Sequence, residues 1–151
     1  MSVRVQFEDF DIAREVQMLR RDHPATGAVV TFIGTVRDMQ DKDSVFSMHL
    51  EHYPGMTEKV LGAIEQEARL RWDVEAVSVI HRVGKLQPSD QIVLVIICSR
   101  HRREAFQACE YVMDMLKTKA PFWKKEEMAS GNRWVEIKES DETASNRWKT
   151  V

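Results

Sequence analysis

Cysteine, proline and glycine are all scarce in this chain. Two Cys, four Pro and six Gly occur in 151 residues, which gives no basis for a disulfide framework or a long flexible linker. No apolar run approaches the roughly 20 residues that a membrane-spanning helix needs. The N-terminal stretch carries acids where a signal peptide would be apolar. We therefore expect a single domain over residues 1–151, located in the cytoplasm and without a membrane partner.

Metal-binding and nucleophile motifs are also missing. Cys98 and Cys109 match no zinc or redox spacing and lie in apolar patterns, which predicts two buried thiols. His49 and His52 are three apart on a predicted strand, so they point to opposite faces and make a poor metal pair. No Gly-rich phosphate loop, Ser-His-Asp order or paired-carboxylate motif occurs. The sequence predicts no metal and no cofactor.

The hydrophobic pattern predicts an α+β fold. A short helix is expected after Asp11, which can cap it, and two longer helices at about residues 57–72 and 102–119. Apolar runs indicate strands at residues 28–34, 46–53, 74–83, 91–99 and 133–139. The strands at 74–83 and 91–99 are nearly continuous in apolar residues, so both should be covered on two faces. Residues from about 140 form a polar, potentially mobile tail.

Positive charge is concentrated in one part of the chain. The formal net charge is −2, yet residues 99–138 contain nine Lys/Arg against six Asp/Glu. A nucleic-acid-binding surface would usually make the whole domain basic. The local surplus therefore indicates a confined site for an anion and no nucleic-acid partner.

Arginines stand at two junctions, one at the start of a predicted helix and one after a buried strand. His101 and Arg102 meet the start of a predicted helix, although helix N-termini are partially positive. Arginines beside exposed N–H groups can hold a phosphate or carboxylate, and the alternative is a solvated, Arg-rich turn. Arg37 follows a buried strand, where ligand-binding arginines are common, although a surface-loop arginine is the commoner outcome.

The segment KTKAPFWKKE, residues 117–126, surrounds two aromatic rings with four lysines. Lys117 lies beside the apolar stripe of its helix, four residues after Met113. Lys124 follows the two rings, beyond a proline that ends the helix. Lysines beside rings and other cations are candidates for acid–base or nucleophilic chemistry. Alternatively, the rings belong to the core and the lysines are solvated.

These stretches resemble the catalytic (large) subunit of molybdopterin synthase, the MoaE family. The resemblance covers roughly residues 27–139. Its motifs appear in the order GAVVTFIGTVRD, LEHYPGMTEKVL, VIHRVGKLQPSDQIV, SRHRREAF and MDMLKTKAPFWKKE. It implies a single domain of the α/β-hammerhead type with additional antiparallel β-strands.

The resemblance also implies a function in molybdenum-cofactor biosynthesis. Members of the family convert cyclic pyranopterin monophosphate into molybdopterin by installing two dithiolene sulfurs. The sulfur comes from a small ubiquitin-like subunit, whose C-terminal Gly-Gly ends in a thiocarboxylate and enters a pocket of the large subunit. Two large subunits are expected to form a homodimer at the centre of a heterotetramer.

The family's functional residues fall on matching positions of this chain. Its two essential lysines fall on Lys117 and Lys124, which are the expected catalytic residues. The expected substrate-binding residues are Arg37, His101, Arg102, Phe32, Met113, Lys125, Glu126 and Lys138. Lys138 stands where other members have Arg, thought to reach the neighbouring subunit's site. A lysine there keeps the charge but loses the bidentate fork.

Two other functions fit parts of the same pattern. The first is a non-enzymatic module that binds anionic ligands or RNA, with Phe122 and Trp123 as stacking platforms. Binding of that kind weakens steeply with salt and tolerates any sequence. The second is a sulfurtransferase that uses its own cysteine, Cys98 or Cys109, and would therefore lose sulfur transfer when both thiols are removed.

Overall fold

The computed structural model describes residues 3–37, 45–128, 131–135 and 139–150. No helix in these ranges is long and apolar enough to cross a membrane. The elements are, in chain order, β1 (Val3–Gln6), α1 (Ile12–Arg21), β2 (Ala28–Thr35), β3 (Val45–His52), α2 (Met56–Arg71), β4 (Ala76–Arg82), β5 (Gly84–Leu86), β6 (Gln91–Ser99), α3 (Arg102–Lys119), β7 (Phe122–Met128), β8 (Gly131–Val135), α4 (Glu139–Asn146) and a final 3-10 helix (Arg147–Thr150).

Local chemistry accounts for where the helices begin. The Asp11 carboxylate accepts a hydrogen bond from the Arg14 N–H at 3.1 Å and caps α1, as predicted. Gly55 precedes α2 with φ of 85°, a conformation that favours glycine. The Gly55 N–H donates to the Glu58 carboxylate at 2.9 Å. An acid in the first turn of α2 therefore accepts from the backbone N–H that precedes the helix.

The first sheet has the strand order β1-β4-β6-β2 and is covered on both faces. β1 runs parallel to β4, and the other two pairings are antiparallel. Alternate side chains of β6 pack under α2 and α3 on one face and against α1 on the other, as the continuous apolar runs predicted. The first set is Val93, Val95 and Ile97, and the second is Leu94, Ile96 and Cys98.

The second sheet is antiparallel, with the order β5-β3-β7-β8. The chain crosses from the first sheet to the second between β4 and β5, at Gly84, where φ is 91°. A Cβ at this position would lie 2.8 Å from the Phe7 ring, so a side chain would be excluded by both conformation and space. A separate core fills the junction, formed by Val36, Met48, Leu50, Val83, Leu86 and Ile92.

The three predicted helices and the α+β class are confirmed, but several elements were not predicted. β1, β5, β7 and α4 carry no strong periodicity in the sequence. β7 matters most, because it contains the rings and lysines of the 117–126 segment and pairs with both β3 and β8. The last predicted strand, at 133–139, is observed as β8 at 131–135. Lys138 lies outside the described residues.

The C-terminal residues dock on α3, where only a polar tail was expected. The Trp148 ring lies 5.4 Å from Trp72 and 5.6 Å from Tyr111, both edge-on. Its Nε1–H donates to the Asp114 carboxylate at 2.7 Å, and Arg147 donates to the same carboxylate at 2.9 Å. Buried aromatic area with a satisfied indole N–H is a strong local anchor.

Removing this anchor tests whether the C-terminal segment contributes to stability. We expect Trp148→Ala to lower the free energy of unfolding by about 3 kcal/mol, because it removes a packed indole and leaves a cavity. Leu70→Ala is the control, since Leu70 is 82% exposed, and should stay within about 0.5 kcal/mol of wild type. Urea denaturation measures both, and equal effects of the two substitutions would contradict the docking.

Candidate active site

A cavity of about 420 Å³ opens between the two sheets and the C-terminal end of α3. Its volume lies in the range of small-ligand sites. Five of the residues singled out in the sequence line it together, namely Phe32, Arg37, Lys117, Lys124 and Glu126. These residues come from β2 and the residues after it, from α3 and from β7, so the tertiary fold assembles the cavity.

The two lysines meet because the chain reverses between α3 and β7. Pro121 stands at the reversal, and its carbonyl accepts a hydrogen bond from the Thr57 hydroxyl at 3.1 Å. That hydroxyl also accepts from the Tyr53 N–H at 3.0 Å, and Thr57 is fully buried. This anchor fixes where β7 begins, and therefore where Lys124 lies relative to Lys117.

The alternation of β7 decides which of its side chains face the cavity. Phe122, Lys124 and Glu126 line it, which is the spacing of one face of a strand. Lys125 lies on the opposite face, with its Nζ 5.8 Å from the centre of the Trp134 ring. The structure therefore does not bring Lys125 to the cavity with the other predicted residues.

Arg37 is held at the cavity by the backbone that precedes it. Val36 is buried, its N–H donates to the Asp90 carbonyl at 2.9 Å, and its carbonyl accepts from the Ser89 N–H at 2.8 Å. On the same strand, a Cβ at Gly34 would lie 2.7 Å from a Val93 methyl group. The missing side chain lets β2 and β6 approach closely under the cavity.

The cavity carries both signs of charge. Three cations, Arg37, Lys117 and Lys124, line it with two carboxylates, Glu126 and Asp141. Glu126 is 9% exposed, and Asp141 comes from α4, which the sequence did not predict. Counting these groups in their usual ionised forms leaves one net positive charge. Such a cavity favours an anionic ligand and has groups that can donate or accept protons.

His81 is a further cavity residue that the sequence did not single out. Only 3% of it is exposed, and its ring stacks on Phe122 with centroids 3.8 Å apart. Burial lowers the pKa of His81 to about 3, against the hydrogen bond to the Arg82 carbonyl, which acts to raise it. Electrostatic interactions with Lys124, Lys117 and His52 lower this pKa further. A polar side chain inside the apolar run VSVIHRV was the one sequence signal that could have identified it.

Two predicted anion-binding residues lie far from the cavity. His101 and Arg102 stand at the N-terminal end of α3 and Lys117 in its last turn. At 1.5 Å per residue, about 22 Å of helix separates them. One chain therefore does not bring all the predicted residues to one cavity. Met113 packs on the core beneath the helices and is not among the cavity residues.

The cysteines are confirmed as buried residues. Cys98 and Cys109 are free thiols, both buried and neither lining the cavity. Burial raises the pKa of Cys98 and raises the pKa of Cys109 to about 11, which keeps both as thiols and makes them poor nucleophiles. Among the described residues, no group of three or more His, Cys, Asp or Glu could hold a metal ion.

The fold and the cavity together define an α+β protein with a cationic site for a small anionic ligand. The family model described as MoaE protein matches residues 5–119. The molybdopterin synthase catalytic subunit of Ralstonia nicotianae is 57% identical over 150 residues, which cover 99% of this chain and 85% of that protein. The chain therefore belongs to the MoaE family.

Solved structures agree with this assignment. The molybdopterin biosynthesis MoaE protein of Burkholderia ambifaria has a TM-score of 0.84 and 49% identity, with 100% of both chains covered. The molybdopterin synthase structure from Staphylococcus aureus has a TM-score of 0.80 and 32% identity, covering 87% of this chain and 95% of that one. The chain is thus a sulfur-transferring enzyme subunit of molybdenum-cofactor biosynthesis, with the α+β fold predicted for it.

The buried His81 predicts how stability depends on pH. Its pKa is about 3 in the folded chain against 6.5 ordinarily, so between these values the unfolded state binds more protons. The stability from the neutral ring is therefore complete above pH 6.5 and is lost as the pH falls toward 3. Between about pH 7.5 and about pH 5, wild type should lose about 2 kcal/mol more than His81→Phe. Urea unfolding at both pH values measures this, and equal losses would contradict a neutral buried histidine.

Proposed function

We propose that the cavity is the place where this subunit transfers sulfur to cyclic pyranopterin monophosphate. The sulfur donor in this proposal is the C-terminal thiocarboxylate of a small ubiquitin-like subunit. The observation that carries the proposal is that Lys117 and Lys124, from different elements, line one cavity with Arg37. The substrate phosphate and the thiocarboxylate are both anions, and a partly enclosed cationic site attracts both.

The three cations have different parts in this proposal. Arg37 binds the substrate phosphate, because a guanidinium presents a planar fork of donors to phosphate oxygens. Lys117 and Lys124 are the catalytic pair, which attracts the thiocarboxylate and moves protons during the transfer. Phe32 and Phe122 line the same cavity and limit the access of water, which strengthens the charge interactions inside it.

Each transfer exchanges a carbon–oxygen bond of the pterin side chain for a carbon–sulfur bond. The thiocarboxylate sulfur bonds to the side-chain carbon, the carbon–oxygen bond at that carbon breaks, and a lysine ammonium protonates the departing oxygen. Water then attacks the tail carbonyl, the acyl–sulfur bond breaks, and the tail leaves as a carboxylate. A neutral lysine amine can accept the proton that this water releases. No thiol of this chain is needed, which agrees with the burial of Cys98 and Cys109.

A second copy of the chain gives His101 and Arg102 a place in the same chemistry. About 22 Å of α3 separates them from Lys117 of their own chain, so a part in catalysis would require the cavity of a neighbouring copy. We propose a homodimer at the centre of a heterotetramer, in which this pair and Lys138 assist the neighbour's cavity. We place this assembly of 151-residue subunits, each a single domain, in the cytoplasm, where thiols stay reduced.

The alternative of an RNA-binding module has less support. It needs Phe122 and Trp123 on one stacking platform. Phe122 instead stacks on the buried His81 and lines the cavity, whereas Trp123 is not a cavity residue and is 47% exposed. Adjacent residues of a strand point to opposite faces, so the two rings do not form a common surface.

Reconstitution tests the proposed function. Wild type is mixed with thiocarboxylated small subunit and cyclic pyranopterin monophosphate, and molybdopterin is measured. We expect Lys117→Ala to lower the rate by at least about 100-fold, since it removes a proton-transferring group. Lys119→Ala is the matched control, because Lys119 is in the same helical turn but does not line this cavity.

The outcomes separate the site from the function. No product from wild type that is folded and bound to the small subunit would overturn the function and favour the anion-binding module. Product formation by Lys117→Ala at the rate of Lys119→Ala would leave the function intact and show that Lys117 is not catalytic.

A further inference from the structure

His81 is a buried polar side chain to which the transfer described above gives no part. It lies at the end of β4, where Val77 and Val79 on the same face pack into the core beneath α2 and α3. His81 continues that face but lines the cavity instead of the closed core. Burying an imidazole costs free energy unless its polar atoms form hydrogen bonds. The burial of a histidine at position 81 therefore needs an explanation.

The hydrogen bond of one ring nitrogen fixes the form of the other. Nδ1 lies 2.7 Å from the Arg82 carbonyl oxygen. A carbonyl only accepts, so Nδ1 must carry the proton and donate it. In the neutral ring, Nε2 then has the lone pair. The ring plane is also held, because it stacks on Phe122 at an angle of 16°. His81 therefore offers the cavity one oriented acceptor.

Two lysines from different elements act on this acceptor. Lys124 of β7 and Lys117 of α3 disfavour a charged His81 ring, Lys124 more strongly than Lys117, and His52 of β3 acts in the same direction. Lys124 also lies two residues beyond Phe122 on the same face of β7, and Phe122 is the ring on which His81 stacks. Arg37, Glu126 and Asp141 are the other charged residues of the cavity.

We propose that His81 is a positioning residue for the catalytic lysines. Its neutral Nε2 accepts a hydrogen bond from the Lys124 ammonium during turnover. The inference rests on the proposed function of the cavity. The flexible four-carbon stem of lysine carries three rotatable donors, so an oriented acceptor restricts where the ammonium rests.

A neutral acceptor suits this cavity better than a carboxylate would. A third carboxylate beside Glu126 and Asp141 would cancel the one net positive charge of the cavity, and the two anionic reactants would lose attraction. A neutral imidazole orients the ammonium and leaves the charge available. Burial and the positive charges of Lys124 and Lys117 keep the imidazole neutral, so Nε2 remains an acceptor at neutral pH.

Three substitutions at one position separate the roles of the ring. His81→Gln keeps an acceptor near the place of Nε2, His81→Asn keeps a polar group only near Nδ1, and His81→Phe keeps the stacking ring without either nitrogen. We expect kcat to fall on the order of 10- to 100-fold in the Asn and Phe variants, with little change in KM, because misplacement of a catalytic group has this size of effect. His81→Gln should retain most of the wild-type rate.

The pH profile distinguishes positioning from a structural role. An acceptor for the ammonium favours the charged form of the lysine. Its loss should therefore move the lysine-dependent limb of the kcat/KM profile to lower pH in His81→Phe, and not in His81→Gln. A purely structural role would lower the amount of folded protein in all three variants and leave the limb in place.

The wild-type assay keeps this inference separate from the proposed function. If wild type makes no molybdopterin, the proposed function fails first. If wild type is active and the folded Phe and Asn variants match it in kcat and pH profile, the positioning role of His81 is wrong. A nitrogen-15 spectrum of the resting protein gives a test without substrate: protonated Nδ1 and bare Nε2 are expected, and the opposite tautomer or an imidazolium at neutral pH would overturn the inference.

Discussion

The antiparallel pairing of β7 with β3 is the interaction on which the site depends. Lys117 lies in the last turn of a helix that packs on the first sheet, and Lys124 lies on a strand of the second. Only the return of the chain at Pro121 and the pairing of Lys124 with Leu50 bring the two lysines to one cavity. The buried Thr57 hydroxyl, bonded to the Pro121 carbonyl, fixes this return from the start of α2. Catalytic geometry built on such a rigid framework loses little to side-chain disorder.

The start of β7 also influences the charge state of the cavity residues. Phe122, the first residue of β7, covers His81, and the desolvation that results keeps the imidazole neutral between two lysines. The cavity thus combines the neutral rings of His81 and Phe122 with three cations and two carboxylates. Its net positive charge suits the two anionic reactants proposed for it. In that proposal the sulfur arrives on a partner, which agrees with the burial of the chain's own thiols.

Local sequence patterns predicted the helices and strands that have a strongly apolar face. α3 was predicted with its observed bounds, and its apolar stripe from Ala105 to Leu116 is buried. β7 was missed because its sequence, FWKKEEM, has little apolar alternation, and long-range pairing makes it a strand. The motifs identified Arg37, Lys117 and Lys124 as a group, and the structure brings them together. The predicted helix at 102–119 already placed His101 and Lys117 near its opposite ends. The motifs did not reveal that His81 and Asp141 share the cavity, because that fact depends on tertiary placement.

A double-mutant cycle on the two cavity lysines tests most directly whether they form one catalytic unit. Molybdopterin formation is measured for wild type, Lys117→Ala, Lys124→Ala and the double variant, each bound to the thiocarboxylated small subunit. Residues that act as a unit have strongly non-additive effects, so the double variant should be about as slow as the slower single variant. Rate losses that multiply independently would mean that the two lysines serve separate steps or separate sites, and that the shared cavity is not the catalytic centre.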